Sequence, residues 1–380
     1  MSPTPTDKQI GRPAGSHLLA IATLVALLAA SPAAAETRFR VTGGGFGHGV
    51  GLSQWGAYGY AKHGSDYRRI ATHYFRGAKI GRVRESRSVR VLLGTTPQSV
   101  SFSRSKRACG KNLRPSATYR ATLSGSGVRL ERADGRRIAG CGEKLVAKGS
   151  SGPIRIGGEG SYRGDLVAAV ADGELYVVNE VGLDEYAQGV VPNEMPTSWP
   201  LAALQAQAVA ARSYALATAA GSAVFDQYDD TRSQVYGGFA TEAARTNRAV
   251  RRSGRQVLLY DGEPIPAFYS SSSGGRTENV EFGFPGASPA PYLKSVEDPY
   301  DDASPDHRWR ETFTRTELEA ELSGLFEGRL QGIEVTERGV SPRIVRARVV
   351  GSGGSSAVSG PDLQAMLGLR SIWAKFERLP

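Results

Sequence analysis

The stretch from Val190 to Tyr214 limits this chain's fold more than any other segment. It reads Val190-Val-Pro-Asn-Glu-Met-Pro-Thr-Ser-Trp-Pro200, then Leu201-Ala-Ala-Leu-Gln-Ala-Gln-Ala-Val-Ala-Ala-Arg-Ser-Tyr214. No Pro or Gly interrupts residues 201–220 and Ala dominates them, which predicts one long helix. Pro200 suits a first helical turn, and Thr197 or Ser198 offers a cap. Upstream, Pro192 and Pro196 predict a turn that carries one carboxylate, Glu194, among Val190, Val191, Met195 and Trp199. Apolar neighbours desolvate a carboxylate and raise its pKa towards the range of a general acid. The plainer reading is an acidic turn residue at the start of a helix.

The surrounding string favours the first reading, because it resembles the SpoIID/LytB family of cell-wall proteins. The matching residues are Gly189-Val-Val-Pro-Asn-Glu-Met-Pro and Ala206-Gln-Ala-Val-Ala-Ala-Arg-Ser-Tyr-Ala215. They continue in order through Gln234-Val-Tyr-Gly-Gly238, Phe268-Tyr-Ser-Ser-Ser-Ser-Gly-Gly-Arg-Thr-Glu278, Pro291-Tyr-Leu-Lys-Ser-Val296 and Leu367-Gly-Leu-Arg-Ser-Ile-Trp373. An ordered series of this length is far more specific than one short motif.

Residues 1–35 carry Lys8 and Arg12, an apolar run from Leu18 to Ala30, and Ala33-Ala-Ala35. This is the plan of a secretory signal peptide cleaved after Ala35, with an uncleaved anchor as the alternative. The expected location is the periplasm, cell wall or exterior, with no membrane span after cleavage. In an oxidising compartment Cys109 and Cys141 are expected to form one structural disulfide. The net charge of +10 suits an anionic partner. No helix-turn-helix, RNP string or basic heptad helix accompanies it, so nucleic acid is not expected.

Gly43-Gly-Gly-Phe-Gly-His-Gly-Val-Gly-Leu-Ser-Gln-Trp-Gly-Ala57 is too rich in glycine for a regular strand and predicts a loop of close backbone approach. Short helices follow at 53–62 and 65–75. The block resembles a family motif that usually stands at the C-terminal end, which implies a circular permutation. Arg38–Val41 should then lie beside Trp373–Phe376. Alternating residues predict strands at 89–93, 119–123, 128–132, 166–170 and 175–179, with Ala171-Asp-Gly-Glu174 as a turn. Further strands are expected at 256–260, 265–270, 330–336, 344–350 and 357–359, and helices at 241–253, 315–325 and 360–367. Clustered strands indicate an α+β fold. The resemblance makes it SpoIID-like, with a long substrate groove. The expected segments are 36–83, the permuted block; 84–180, β-rich with the disulfide; and 181–380, the catalytic core.

Glycosidic cleavage usually employs two carboxylates. Asp184, Glu185, Asp229, Asp230 and Glu278 are candidates to join Glu194, and nothing in the sequence singles one out. The resemblance implies a lytic transglycosylase, in which one residue, Glu194, is acid and then base. The substrate would be peptidoglycan glycan strands, stripped of stem peptides. The rival is a non-catalytic enhancer of a cell-wall amidase. The same resemblance marks Arg212, Tyr269, Tyr292 and Lys294 as substrate-binding, and the glycine block adds His48 and Gln54 at the groove rim. Arg212 beside Glu194 would lower its pKa and oppose acid catalysis, so a role on the substrate or in the second step is preferred. Ser270–Ser273 lacks nucleophile-elbow spacing, and His48, His63 and His73 lack metal-ligand spacing. Some family members carry a Cys/His zinc site before Q-V-Y-G-G, where this chain has Asp229-Asp-Thr-Arg-Ser233. No metal and no cofactor is expected.

Overall fold

The computed structural model describes residues 36–83 and 87–379. The expected leader, residues 1–35, lies outside the described residues. The fold is α+β and strand-rich, as the sequence indicated, and three apolar cores organise it.

The first core lies inside a β-sandwich. A seven-stranded and a six-stranded sheet face each other through alternating residues. In the strand Ser88–Thr96, Val89, Val91 and Leu93 point inward while Ser88 and Arg90 point out. The strands Asp165–Ala171 and Glu174–Gly182 pair as a hairpin. Its turn holds Asp172 at φ +52° and Gly173 at φ +79°, the two left-handed positions that Asp-Gly tolerates. At the far end the disulfide Cys109–Cys141 closes the segment, with its Cα atoms 5.2 Å apart. The sandwich also contains the short strands Ser99–Ser103, Ser105–Ala108, Arg137–Gly140, Lys144–Gly149, Ile154–Ile156 and Gly160–Tyr162, which the sequence pattern did not separate.

Helices form the second core. They are α1 (Gln54–Lys62), α2 (Tyr67–Tyr74), α3 (Leu183–Glu194), α4 (Leu201–Ala217) and α5 (Ala244–Arg252). Ser53 and Asp66 cap α1 and α2 through their side chains. Helix α4 is buried on nearly every side, because its alanines let neighbouring helices approach closely. Pro200 is its N-cap rather than its first residue, and neither Thr197 nor Ser198 caps it.

The third core joins the two ends of the described chain. The strand Arg38–Gly43 lies between Trp309–Thr314 and Ala374–Arg378, both antiparallel to it. Val41 stands opposite Phe376 and Thr42 opposite Lys375, so the two stretches expected to be neighbours share a sheet. The glycine-rich loop then crosses to the helical core. Phe46 bridges to Ser272, the Gly47 N–H donates to the Arg370 carbonyl, and the Gly49 carbonyl accepts from the Glu278 N–H. Gly49 and Gly51 have φ of +75°, and a Cβ on either would lie 2.2 Å from Arg343 Cζ or the Phe268 carbonyl oxygen. Only glycine fits there.

Some expected boundaries shift. The strand expected over 265–270 is reduced to Tyr269–Ser270, the helix over 315–325 ends at Glu321, and α4 ends at Ala217 because Thr218 is extended. Among the described residues no helix is long and apolar enough to cross a membrane.

Candidate active site

Glu194 does not lie on a turn. It is the last residue of α3, and Pro192 is accommodated inside that helix. A proline removes one backbone N–H, and in the final turn the helix has little further to run. The Gly189 carbonyl one turn back accepts from Asn193 Nδ2 at 2.6 Å and from the Gly237 N–H at 3.0 Å. Gly189 is packed so closely that a Cβ would lie 2.5 Å from the Tyr236 ring. These contacts hold the end of α3 against the loop after Gln234. Trp199, within the link to α4, packs on Trp55 and Tyr58 of α1, with ring centroids 4.8 and 5.0 Å away.

The Glu194 carboxyl opens into a cavity of about 410 Å³. His48, Tyr214, Thr231, Arg232, Ser233, Val235, Phe268, Tyr269 and Phe284 complete its wall. Burial is the main influence on Glu194 and raises its pKa above the usual carboxylate range; the Val235 N–H, Tyr269 and Gln54 oppose that rise. The negative end of the α3 dipole acts in the same direction as burial. Val235 N–H donates to Oε1 at 2.9 Å, so a proton on the acid resides on Oε2. Glu194 is the only acid among the lining residues.

Tyr269 and Gln54 stand beside this carboxyl. The Tyr269 hydroxyl donates to Gln234 Oε1 at 3.1 Å, and Gln234 Nε2 donates to the Tyr186 hydroxyl at 3.3 Å and to the Ala211 carbonyl at 3.2 Å. Burial first, and then the Glu194 charge, push the Tyr269 hydroxyl well above its ordinary pKa. Gln54 Nε2 is buried next to the carboxyl and, among the described residues, makes no hydrogen bond of good geometry, though it is near enough to favour the carboxylate. His48 lines the same cavity, against Phe284 at 4.8 Å. Its Nδ1 accepts from the Val50 N–H and its Nε2–H donates to the Tyr269 carbonyl, both at 3.0 Å. Burial, reinforced by the Arg343 charge, lowers the His48 pKa to about 4 and keeps the ring neutral. Both nitrogens are occupied, so His48 ties the glycine loop to Tyr269.

Arg212 does not reach the cavity, and the expectation that it binds substrate is corrected. Its side chain is 0% exposed. Nε donates to Asp184 Oδ1 at 2.6 Å, Nη1 to the Ala208 carbonyl and Ser253 Oγ, and Nη2 to the Val250 carbonyl. The guanidinium is spent on joining α3, α4 and α5. Tyr292 stacks on Tyr260 at 5.2 Å and Lys294 pairs with Glu281 at 2.6 Å; neither lines the cavity. The candidate second carboxylates are also elsewhere. Asp184 belongs to Arg212, Asp230 to Arg232, and Glu278 accepts from Ser341 and the Val340 N–H. Glu185 and Asp229 do not line the cavity.

Sequence reasoning overlooked Thr231, Arg232 and Ser233. Their signal was present in the loop before Gln234-Val-Tyr-Gly-Gly238, which was tested only for metal ligands. Arg232 is held by Asp230 through Nε and Nη2, at 2.7–3.1 Å, and lies 3.9 Å over the Tyr228 ring. Among the described residues its Nη1 makes no hydrogen bond, and the side chain is 60% exposed.

Residues 171–260 match the family model described as SpoIID, Stage II sporulation protein. The chain is 31% identical over 218 residues to stage II sporulation protein D of Bacillus subtilis (strain 168), covering 53% of this chain and 62% of that protein. The protein of the same name from Bacillus amyloliquefaciens is 32% identical over the same shares. An amidase enhancer of Bacillus subtilis (strain 168) is 43% identical over 132 residues, 35% of this chain and 17% of that protein. The chain thus spans less than two thirds of each of these relatives. The matched stretch contains Glu194, Arg232 and the whole of α3 and α4, so the likeness to SpoIID proteins covers the helices that build the cavity.

Proposed function

We propose that this chain is an exported lytic transglycosylase that cleaves between N-acetylmuramic acid and N-acetylglucosamine in peptidoglycan glycan strands. The observation that supports it best is a carboxyl whose proton affinity is raised by burial, the one acid among the lining residues of an open cavity. Glu194 donates its Oε2 proton to the bridging oxygen as the glycosidic bond breaks. The resulting carboxylate takes the proton from the muramic acid C6 hydroxyl, whose oxygen closes on the anomeric carbon. A 1,6-anhydro ring forms, no water is consumed and Glu194 is protonated again. A single acid suffices, whereas hydrolysis would call for a second carboxylate. The Tyr269 hydroxyl and the Gln54 amide, both beside the carboxyl, favour its ionised form midway through the cycle.

Arg232 takes the role that Arg212 cannot. Its free Nη1 edge at the cavity wall suits the lactyl carboxylate of muramic acid, which is ionic only where the stem peptide has been removed. Incubation with purified, peptide-stripped glycan and mass analysis of the ends tests the assignment. Anhydromuramyl ends are expected, and reducing ends alone would overturn it.

The likeness to an amidase enhancer supports a second reading, a non-catalytic glycan-binding partner of a cell-wall amidase. On that reading the chain raises amidase turnover, and Glu194→Gln raises it equally. We also read the glycine-rich block as a permuted part of the fold, which the pairing of Arg38–Gly43 with Ala374–Arg378 supports. A chain in which residues 37–83 follow residue 379 should then fold and cleave as the natural order does. Failure to fold would count against the permutation.

A further inference from the structure

The positive charge of this protein is concentrated in one place. Residues 104–148 hold 12 Lys and Arg against 3 Asp and Glu, whereas the rest of the chain holds 35 against 34. Nearly the whole net charge of +10 therefore lies on the far part of the β-sandwich, around the disulfide. Among the described residues, Arg129 and Lys148 alone of the 12 have an acidic partner, and every one except Arg129 is exposed. The ladder sets like charges against each other, with Arg107 directly opposite Lys148. Such a pair destabilises a sheet, so folding does not account for it.

The cations follow a track. One groove, of about 440 Å³, is lined by Arg107, Lys144, Lys148 and both cysteines. A second, of about 230 Å³, is lined by Arg129, Arg137 and Cys141. The two grooves meet at Cys141, so the disulfide fixes a basic path across the sandwich edge. The large exposed hydrophobics among the described residues are Phe46, Phe239 and Val340, and none lies on this face, so it has no apolar anchor for a bilayer.

We propose that this face docks a linear envelope polymer of phosphodiester-linked polyol repeats, separately from the Glu194 cavity. Arginine forks match phosphate oxygens two at a time, and Arg supplies most of the track. A persistent disulfide belongs to an oxidising compartment, which favours an envelope polyanion over nucleic acid. Docking would hold the enzyme on the wall while its cavity works along neighbouring glycan.

The test measures binding of the full, disulfide-bonded chain to immobilised poly(glycerol phosphate) across a salt series. The variant Arg107→Gln/Arg137→Gln/Lys144→Gln should lose at least tenfold in affinity at about 50 mM salt, and its log–log salt slope should become shallower by roughly one per contacting cation removed. Its urea midpoint should be equal to or above that of the natural chain, because repulsion is relieved. Removing three exposed charges from α5, Arg248→Gln/Arg251→Gln/Arg252→Gln, should leave affinity within about twofold, since surface charges away from a binding face contribute little. Equal loss in the α5 variant, no loss in the first, or tighter binding to duplex DNA or poly-glutamate than to poly(glycerol phosphate) would each overturn the proposal. Turnover of short soluble glycan should be the same in the first variant and the natural chain, so the docking result stands apart from the catalytic one.

Discussion

Glu194 and Arg212 lie on consecutive helices, one half-buried and the other fully buried, and the protein treats them in opposite ways. Arg212 is given a partner for each of its nitrogens, and its charge is absorbed into the junction of α3, α4 and α5. Glu194 receives the Val235 N–H on Oε1, has Tyr269 and Gln54 beside it, and faces an open cavity. Burial raises the proton affinity of Glu194 and lowers that of Arg212, where Asp184 opposes the fall in part. Burial of a charge therefore does not mark a reactive site. An incomplete set of partners facing a cavity does.

The largest expected effect breaks this contrast at its reactive end. Glu194→Gln keeps the size and the Val235 hydrogen bond but cannot donate a transferable proton, so turnover on peptide-stripped glycan should fall about a hundredfold or more. Glycan binding should persist, measured by co-sedimentation. Unchanged turnover would remove Glu194 from the mechanism. At the structural end, Arg212→Gln leaves the Val250 and Ala208 carbonyls short of a donor. It should cost about 2 kcal/mol in urea unfolding, a value reduced because Asp184 is 38% exposed and can turn to water. The protein that remains folded should keep its KM. A raised KM with unchanged stability would return Arg212 to the substrate.

The sequence could not separate these two residues, because each falls within one motif and motif membership does not say where a side chain points. Features with local causes were legible. The helix Gly360–Leu367 was expected at its observed bounds, and the Asp172-Gly173 turn follows from the need for positive φ. The cysteine pairing was legible from compartment and number. Short strands such as Ile154–Ile156 were not, since three residues carry too little alternation to register. Glu194 was expected on a turn because Pro192 looks like a helix breaker, but Pro192 falls in the last turn of α3, where one lost backbone N–H interrupts little. Arg232 reaches the cavity through a long-range approach of loops that no local pattern encodes.

A third, smaller effect sharpens the comparison by moving the substrate contact from Arg212 to Arg232. Arg232→Gln should lower kcat/KM on peptide-stripped glycan by roughly tenfold, the size of one charged hydrogen bond. Glycan that retains its stem peptides should be affected much less, because its lactyl group is an amide. An equal loss on both substrates would make Arg232 a structural support for the loop rather than a reader of the carboxylate.

The smallest effect concerns the position of a pH limb. As the acid in bond cleavage, Glu194 must be protonated, so kcat/KM should fall tenfold per unit as pH rises through its pKa. Burial raises that pKa, which places the limb above the usual carboxylate range. The neighbouring Tyr269 acts in the opposite sense, since it favours the charged form. Removing its hydroxyl in Tyr269→Phe withdraws support from the carboxylate, so the pKa rises further and the limb moves to higher pH. A hydrogen bond of about 1 kcal/mol corresponds to a shift of roughly 0.7 unit. The maximal rate should fall at the same time, because the ionised Glu194 of the second step loses a hydroxyl that can turn to it from Gln234 Oε1. The measurement is a pH profile of kcat/KM for the natural chain and for Tyr269→Phe on the same stripped glycan. A limb that stays in place, or moves to lower pH, would show that Tyr269 does not act on the carboxyl, and would leave it as the partner of Gln234 alone.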